Sequence, residues 1–247
     1  MSRQFVVLPT PAAVDEAAAD RIVGAARNAI RRRGRFRLAL SGGSTPPAIY
    51  ALLSAPPRVG SVDWSRVEFF WADERAVPPD HPDSNFGLAR ALLLERVPGV
   101  MPGAIHRMPA DATDRDAAAN RYQAELAHSF GVAPDASRPP RLDLVWLGMG
   151  RDGHTASLFP GSTALVEGRR WVVASWAPLP AAWRMTFTLP LINAARAVLV
   201  VATGTDKAMA LRSVRSGSRA LPAGRVRARS TLWRVDARAA GEGADAA

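Results

Sequence analysis

The chain has 247 residues, 48% of them hydrophobic, a formal charge of +10 and no cysteine. That length allows one large domain or two small ones with a sizeable core, and the missing cysteines exclude disulfides and thiolate metal sites. No apolar run approaches the roughly 20 residues of a membrane helix, and the opening MSRQFVVLPT lacks the apolar core of a signal peptide, so a cytoplasmic location without a membrane partner is expected.

The charge invites a nucleic-acid reading. The arginines are scattered, however, apart from Arg31–Arg33 and the stretch from Arg212 to Arg229, and Lys207 is the single lysine. No zinc-finger spacing or RNA-binding aromatic signature accompanies them, so no nucleic-acid partner is expected. An anionic small molecule remains compatible with the charge.

In chain order, Phe5–Leu8 reads as a short strand, at an edge. Pro11–Arg33 repeats apolar residues every four positions, Val14, Ala18, Ile22, Ala26 and Ile30, which predicts a helix ended by Gly34. Phe36–Leu40 is a strand running into Ser41-Gly42-Gly43-Ser44-Thr45-Pro46. Thr45 is placed to cap a helix and Pro46 suits its first turn, with Ile49, Leu52 and Leu53 as its buried face. Such a turn offers backbone N–H groups and hydroxyls to an anion. It is neither a P-loop nor a GxGxxG turn, so a nucleotide is not implied.

Val67–Trp71 is a further strand, ending in Asp73-Glu74-Arg75. Three charges crowded at a strand end are costly unless paired or bound to something. After a proline-rich segment, Asp83-Ser84-Asn85 caps a helix expected to reach Val97. Ile105–Met108 reads as a short strand, and Thr113-x-x-Asp116 as a capping box for a helix to about Phe130. Residues 131–141 read as a polar surface loop. His81, His106 and His128 fall in three different elements without ligand spacing, so neither a metal nor another cofactor is expected.

Leu142–Leu147 is a near-continuous apolar run, the pattern of a strand buried on both faces of a parallel sheet. It breaks into Gly148, Gly150 and Gly153, followed by His154, Thr155 and Ser157. Glycines let a backbone approach a ligand closely, and open α/β sheets place ligands at strand carboxyl ends. Histidine titrates near neutral pH and suits acid–base work. Trp171–Ser175, Arg184–Leu189 and Ala197–Ala202 are strand-like. A helix from Thr205 to Arg215 follows, with Met209 and Leu211 as apolar members and Lys207 in its first turn, where the helix dipole disfavours a cation unless an anion intervenes. Thr231–Val235 closes the strand pattern. Residues 1–236 read as one doubly wound α/β domain with a mainly parallel sheet, and 237–247 as a flexible tail.

Four motifs, Ser41–Pro46, Asp73-Glu74-Arg75 with Ser84-Asn85, Gly148–Pro160 and Gly204-x-x-Lys207-Ala208, in this order resemble the 6-phosphogluconolactonases. The Asp152–Pro160 string DGHTASLFP is the most specific part; the family usually carries proline where this chain has Arg151. The resemblance implies a modified Rossmann-like sheet of the sugar-phosphate isomerase/deaminase type, a sugar-phosphate lactone as substrate and a monomer or homodimer. It implies His154, Arg75 and Asp73 as catalytic residues. Gly42, Gly43, Ser44, Thr45, Asn85, Gly153, Arg184 and Lys207 are implied to bind substrate and phosphate. Arg75 suits either the phosphate or the carbonyl side. Asp152 suits orienting His154 or capping the turn. Two other readings stand beside this one. An isomerase or deaminase would use Asp73 or Glu74 as base, although Ser157-Leu158-Phe159-Pro160 departs from the deaminase Asn-Glu-Pro ending. A non-catalytic sensor would need a helix-turn-helix for which the sequence leaves no room.

Overall fold

The computed structural model describes residues 2–134, 138–178 and 180–242. Among the described residues nine strands run in chain order: β1 Ser2–Leu8, β2 Phe36–Leu40, β3 Val67–Trp71, β4 Asp73–Arg75, β5 Leu144–Gly148, β6 Val172–Pro178, β7 Ala181–Phe187, β8 Val198–Ala202 and β9 Ser230–Asp236. The α-helices are α1 Pro11–Arg33, α2 Pro46–Ser54, α3 Asn85–Ala89, α4 Arg115–Phe130, α5 Thr163–Val166, α6 Leu189–Ala194, α7 Ala208–Arg215 and α8 Ala237–Ala240. Among the described residues no helix is long and apolar enough to cross a membrane.

The apolar runs pair into an all-parallel six-stranded sheet of order β1-β9-β8-β5-β2-β3. β1 is at its edge. The central strands are apolar on both faces, as helices on both sides require. Trp71, Trp146 and Trp233 are fully buried, and truncating such a residue typically costs about 3–5 kcal/mol. α1 packs Val14, Ala18, Ile22 and Ala26 inward. Thr10 caps its start by accepting from Ala13 N–H, and Gly34 ends it at φ 76°.

From β2 the chain steps outward to β3, whereas from β5 it steps the other way to β8. The crevice between β2 and β5 is therefore the switch point where doubly wound sheets bind ligands. The two glycine-rich turns leave the carboxyl ends of these two strands.

A second, antiparallel sheet, β4-β7-β6, was not legible in the sequence as separate from the first. The strand-like runs near Trp171 and Arg184 form its β6–β7 hairpin, and Asp73–Arg75 adds to it as a third strand.

Local signals were corrected at several points. Thr45 takes helical angles and its side chain caps nothing. Asp114, not Thr113, caps α4 by accepting from Ala117 N–H. Ile105–Met108 forms only a single bridge to Phe69. The helix from Asn85 breaks at Ala89 into one π-turn, Arg90–Leu94, and does not reach Val97. Met209 is 84% exposed, while Leu211 is buried. The expected tail begins later: Asp236 caps α8, and Ala239 is buried. Residues 135–137 of the expected loop and 243–247 of the tail lie outside the described residues.

Candidate active site

The switch-point crevice opens as a cleft of about 230 Å³. Its floor is the turn after β2 and the turn after β5. One wall is the β4–β7 pair, and the other is the loop after β8 that carries Lys207.

His154 is fixed by the turn that holds it. Its Nδ1 lies 2.6 Å from Asp152 Oδ1, and the same oxygen accepts from His154 N–H at 3.1 Å. Asp152 thus orients the ring and closes the turn together. With the Nδ1 proton shared to Asp152, Nε2 is the nitrogen left to accept a proton. Partial burial alone would push Asp152 up; the hydrogen bonds and charge of His154 hold it below the ordinary carboxylate range. Gly150 is required beneath the ring: a Cβ there would stand 2.1 Å from His154 Nδ1. Ala156, which also lines the cleft, holds φ 48°, a left-handed conformation rare for residues other than glycine.

The carboxylates divide their roles. Asp73 lines the cleft, and its Oδ2 accepts from Ser157 Oγ at 2.7 Å, tying the second sheet to the His154 turn. Glu74 is buried and accepts from Arg75, Asn85 and Phe86 N–H and from Ser84 Oγ, within 2.7–3.1 Å. Burial pushes its carboxyl up, and those backbone bonds partly offset the shift. It holds the start of α3 and with it Asn85. Asn85 Nδ2 donates to Asp73 O at 2.8 Å, and its buried Oδ1 has no hydrogen-bond partner among the described residues. Gly42 makes room for that amide: a Cβ there would stand 1.7 Å from Asn85 Oδ1.

Arg75 and Arg184 are directly opposite in the β4–β7 register, and both line the cleft. Opposed residues share a face at about 4.5–5.5 Å between Cβ atoms, and like charges there repel. Arg75 donates to Asp83 O at 2.6 Å. Arg184 Nε is buried without a hydrogen-bond partner among the described residues, and the guanidinium lies 6.0 Å from the Phe159 ring centre. Burial lowers the Arg184 pKa; Asp73 works against that shift and Arg75 adds to it. Lys207 is the third cation, with Nζ 2.8 Å from Asp206 Oδ2. Two opposed guanidiniums and an ammonium around one cleft have the chemistry to hold an anion by charge-assisted hydrogen bonds.

Residues 9–233 match the family model described as glucosamine-6-phosphate isomerases/6-phosphogluconolactonase. The chain belongs to this family. A 6-phosphogluconolactonase of Nostoc sp. is 39% identical over 98% of this chain and 99% of its own. The chloroplastic 6-phosphogluconolactonase 3 of Arabidopsis thaliana is 39% identical over 83% of the chain, which spans 65% of that relative. The solved structure of 6-phosphogluconolactonase from Trypanosoma cruzi superposes with a TM-score of 0.85 at 28% identity, covering 98% of this chain and 97% of that one.

In this member of the glucosamine-6-phosphate isomerase/6-phosphogluconolactonase family, the cleft gathers His154, Arg75, Asp73, Gly42, Gly43, Ser44, Thr45, Asn85, Arg184 and Lys207. Gly153 does not line it. It turns the chain at φ 77°, and a Cβ there would stand 2.7 Å from Leu221 Cδ1, so it is glycine for packing on the far side. Sequence reasoning missed Trp146, Met149, Val201 and Thr203 as cleft lining. It also left open that Glu74 supports the cleft from behind. An acidic residue just upstream of a capping Ser-Asn pair was the available signal for that role.

Proposed function

We propose that the chain hydrolyses 6-phospho-D-glucono-1,5-lactone to 6-phospho-D-gluconate, the second step of the oxidative pentose phosphate pathway. One observation carries the reading: the cleft holds a carboxylate-oriented histidine together with Arg75, Arg184 and Lys207. His154 Nε2 takes a proton from a water as its oxygen bonds to the lactone carbonyl carbon. The resulting oxyanion collapses, the ring C–O bond breaks, and the imidazolium returns the proton to the departing ring oxygen. A positioned base of this kind typically contributes 10²–10⁴-fold.

Arg184, Lys207 and the Ser44–Thr45 turn hold the phosphate. Arg75, paired with Arg184 across β4–β7, serves the phosphate in this reading, and the pairing supports it. Asn85 and Asp73, which both line the cleft, orient the sugar hydroxyls in this reading. No metal or organic cofactor enters the mechanism. An isomerase or deaminase would instead need a carboxylate free to take a carbon-bound proton. Glu74 is committed to four donors, and one oxygen of Asp73 to Ser157. The test is stopped-flow loss of the lactone, corrected for spontaneous hydrolysis, beside ammonia release from glucosamine 6-phosphate. Rapid lactone loss without ammonia is expected; ammonia without lactone loss overturns the reading.

A further inference from the structure

The opposite end of the parallel sheet carries a second basic hollow. Its volume is about 320 Å³, and it is lined by Arg21, Arg32, Arg33, Arg196 and Arg229 around the single carboxylate of Asp143. In sequence they come from three separate stretches. α1 supplies the first three, and Arg196 and Arg229 stand just before β8 and β9. The hollow is thus at the amino ends of the strands, one strand length, roughly 16 Å, from the His154 turn.

Asp143 is the organiser. It is buried; its Oδ1 pairs with Arg33 at 2.8 Å and Arg196 at 3.3 Å, and its Oδ2 accepts from Arg37 N–H at 2.9 Å. One carboxylate against five guanidiniums leaves four positive charges around the hollow. Arg21, Arg32 and Arg229 have no carboxylate within ion-pair reach among the described residues. A neighbouring hollow of about 440 Å³ shares Arg33, Asp143 and Arg196 and adds three more arginines, two of them held by Glu68. The guanidiniums of Arg33 and Arg196 are therefore fixed in place while the others point into the same space.

We propose that the hollow around Arg21, Arg32, Arg33, Arg196 and Arg229 binds a small anion carrying two or more phosphoryl groups. Planar guanidinium forks match phosphate oxygens, and five of them exceed what one phosphate can engage. The 320 Å³ volume is that of a metabolite. Among the described residues no aromatic side chain lines the hollow, and single-stranded nucleic acid uses such side chains as its stacking platform. The site is independent of the cleft and of the reaction proposed for it.

The probe is sodium tripolyphosphate, titrated by calorimetry at low salt into the wild-type chain, Arg32→Ala/Arg229→Ala and Arg184→Ala. Arg32 and Arg229 are exposed and lie outside the Asp143 ion pairs, so the double variant keeps its fold and its lactone hydrolysis. Saturable binding to wild type is expected, retained in Arg184→Ala and weakened at least about tenfold in the double variant. Added salt should weaken it further. Absence of wild-type binding, loss in Arg184→Ala, or undiminished binding in the double variant each overturns the proposal. Tighter binding of a single-stranded oligonucleotide than of tripolyphosphate overturns the ligand class.

Discussion

Gly150→Ala isolates the geometry of the proposed base without removing it. The added methyl would stand 2.1 Å from His154 Nδ1 and 2.7 Å from Asp152 Oδ1. Ordinary contact to a methyl needs 3.4 Å or more, so the ring must move by about 1 Å and the 2.6 Å contact to Asp152 must open. Misplacement by about 1 Å can cost about 10²-fold, and complete loss of a base 10²–10⁴-fold. Gly150 does not use a positive φ, so the backbone tolerates alanine. The expectation is a kcat lower by about 10²-fold, roughly 3 kcal/mol at about 1.4 kcal/mol per decade. His154→Ala sets the upper limit of the loss. KM should change little, because Arg75, Arg184 and Lys207 are untouched, and Tm should stay within a few degrees. Stopped-flow kinetics on the lactone with a parallel melting curve checks all three. A folded Gly150→Ala protein with kcat within about threefold of wild type, well outside the base-catalysis range, would refute the role of the Asp152–His154 pair.

Arg184→Ala should raise KM for the phosphorylated lactone by about 10–100-fold, the worth of a charge-assisted hydrogen bond, and leave KM for unphosphorylated gluconolactone nearly unchanged. Lys207→Ala should follow with a smaller effect, since Asp206 already engages its ammonium; steady-state kinetics on both lactones decides. Glu74→Gln leaves one acceptor oxygen for four donors and should destabilise by about 1–3 kcal/mol, seen as a Tm several degrees lower, with Asn85 released and KM raised. Asp15 has a buried, unpartnered Oδ1; burial first, then the Glu16 charge, pushes its carboxyl up to about 6 from 3.8. A raised carboxyl favours the protonated fold, so its stability contribution is intact below about 4 and is lost as pH rises through about 6. Asp15→Asn should therefore be more stable than wild type at pH 8, by at most about 2 kcal/mol after solvent screening, and equal to it at pH 4; melting curves at the two pH values test the sign.

The elements whose causes are local were legible in the chain itself. α1 declares its four-residue repeat and its Gly34 stop, and the strands β2, β3 and β8 are bounded apolar runs. The glycine-rich turns after β2 and β5 and most of the cleft residues could be named from motif alone, because each is a property of a few adjacent residues. What faces what was decided only by the tertiary structure. No spacing relates Arg75 to Arg184, yet antiparallel pairing opposes them and brings two like charges to one wall of the cleft. Gly153 and Gly150 look alike in the sequence, but one packs against Leu221 and the other beneath His154. Glu74, one residue from Asp73, faces the start of α3 because successive strand residues point to opposite faces. Arg196 and Arg229, distant in the chain, meet the arginines of α1 around Asp143, since parallel strands bring their amino ends together whatever the length of chain between them. Local order follows from backbone preference and hydrophobic period, whereas charge placement across the fold follows from strand order, which appears only when the whole core closes.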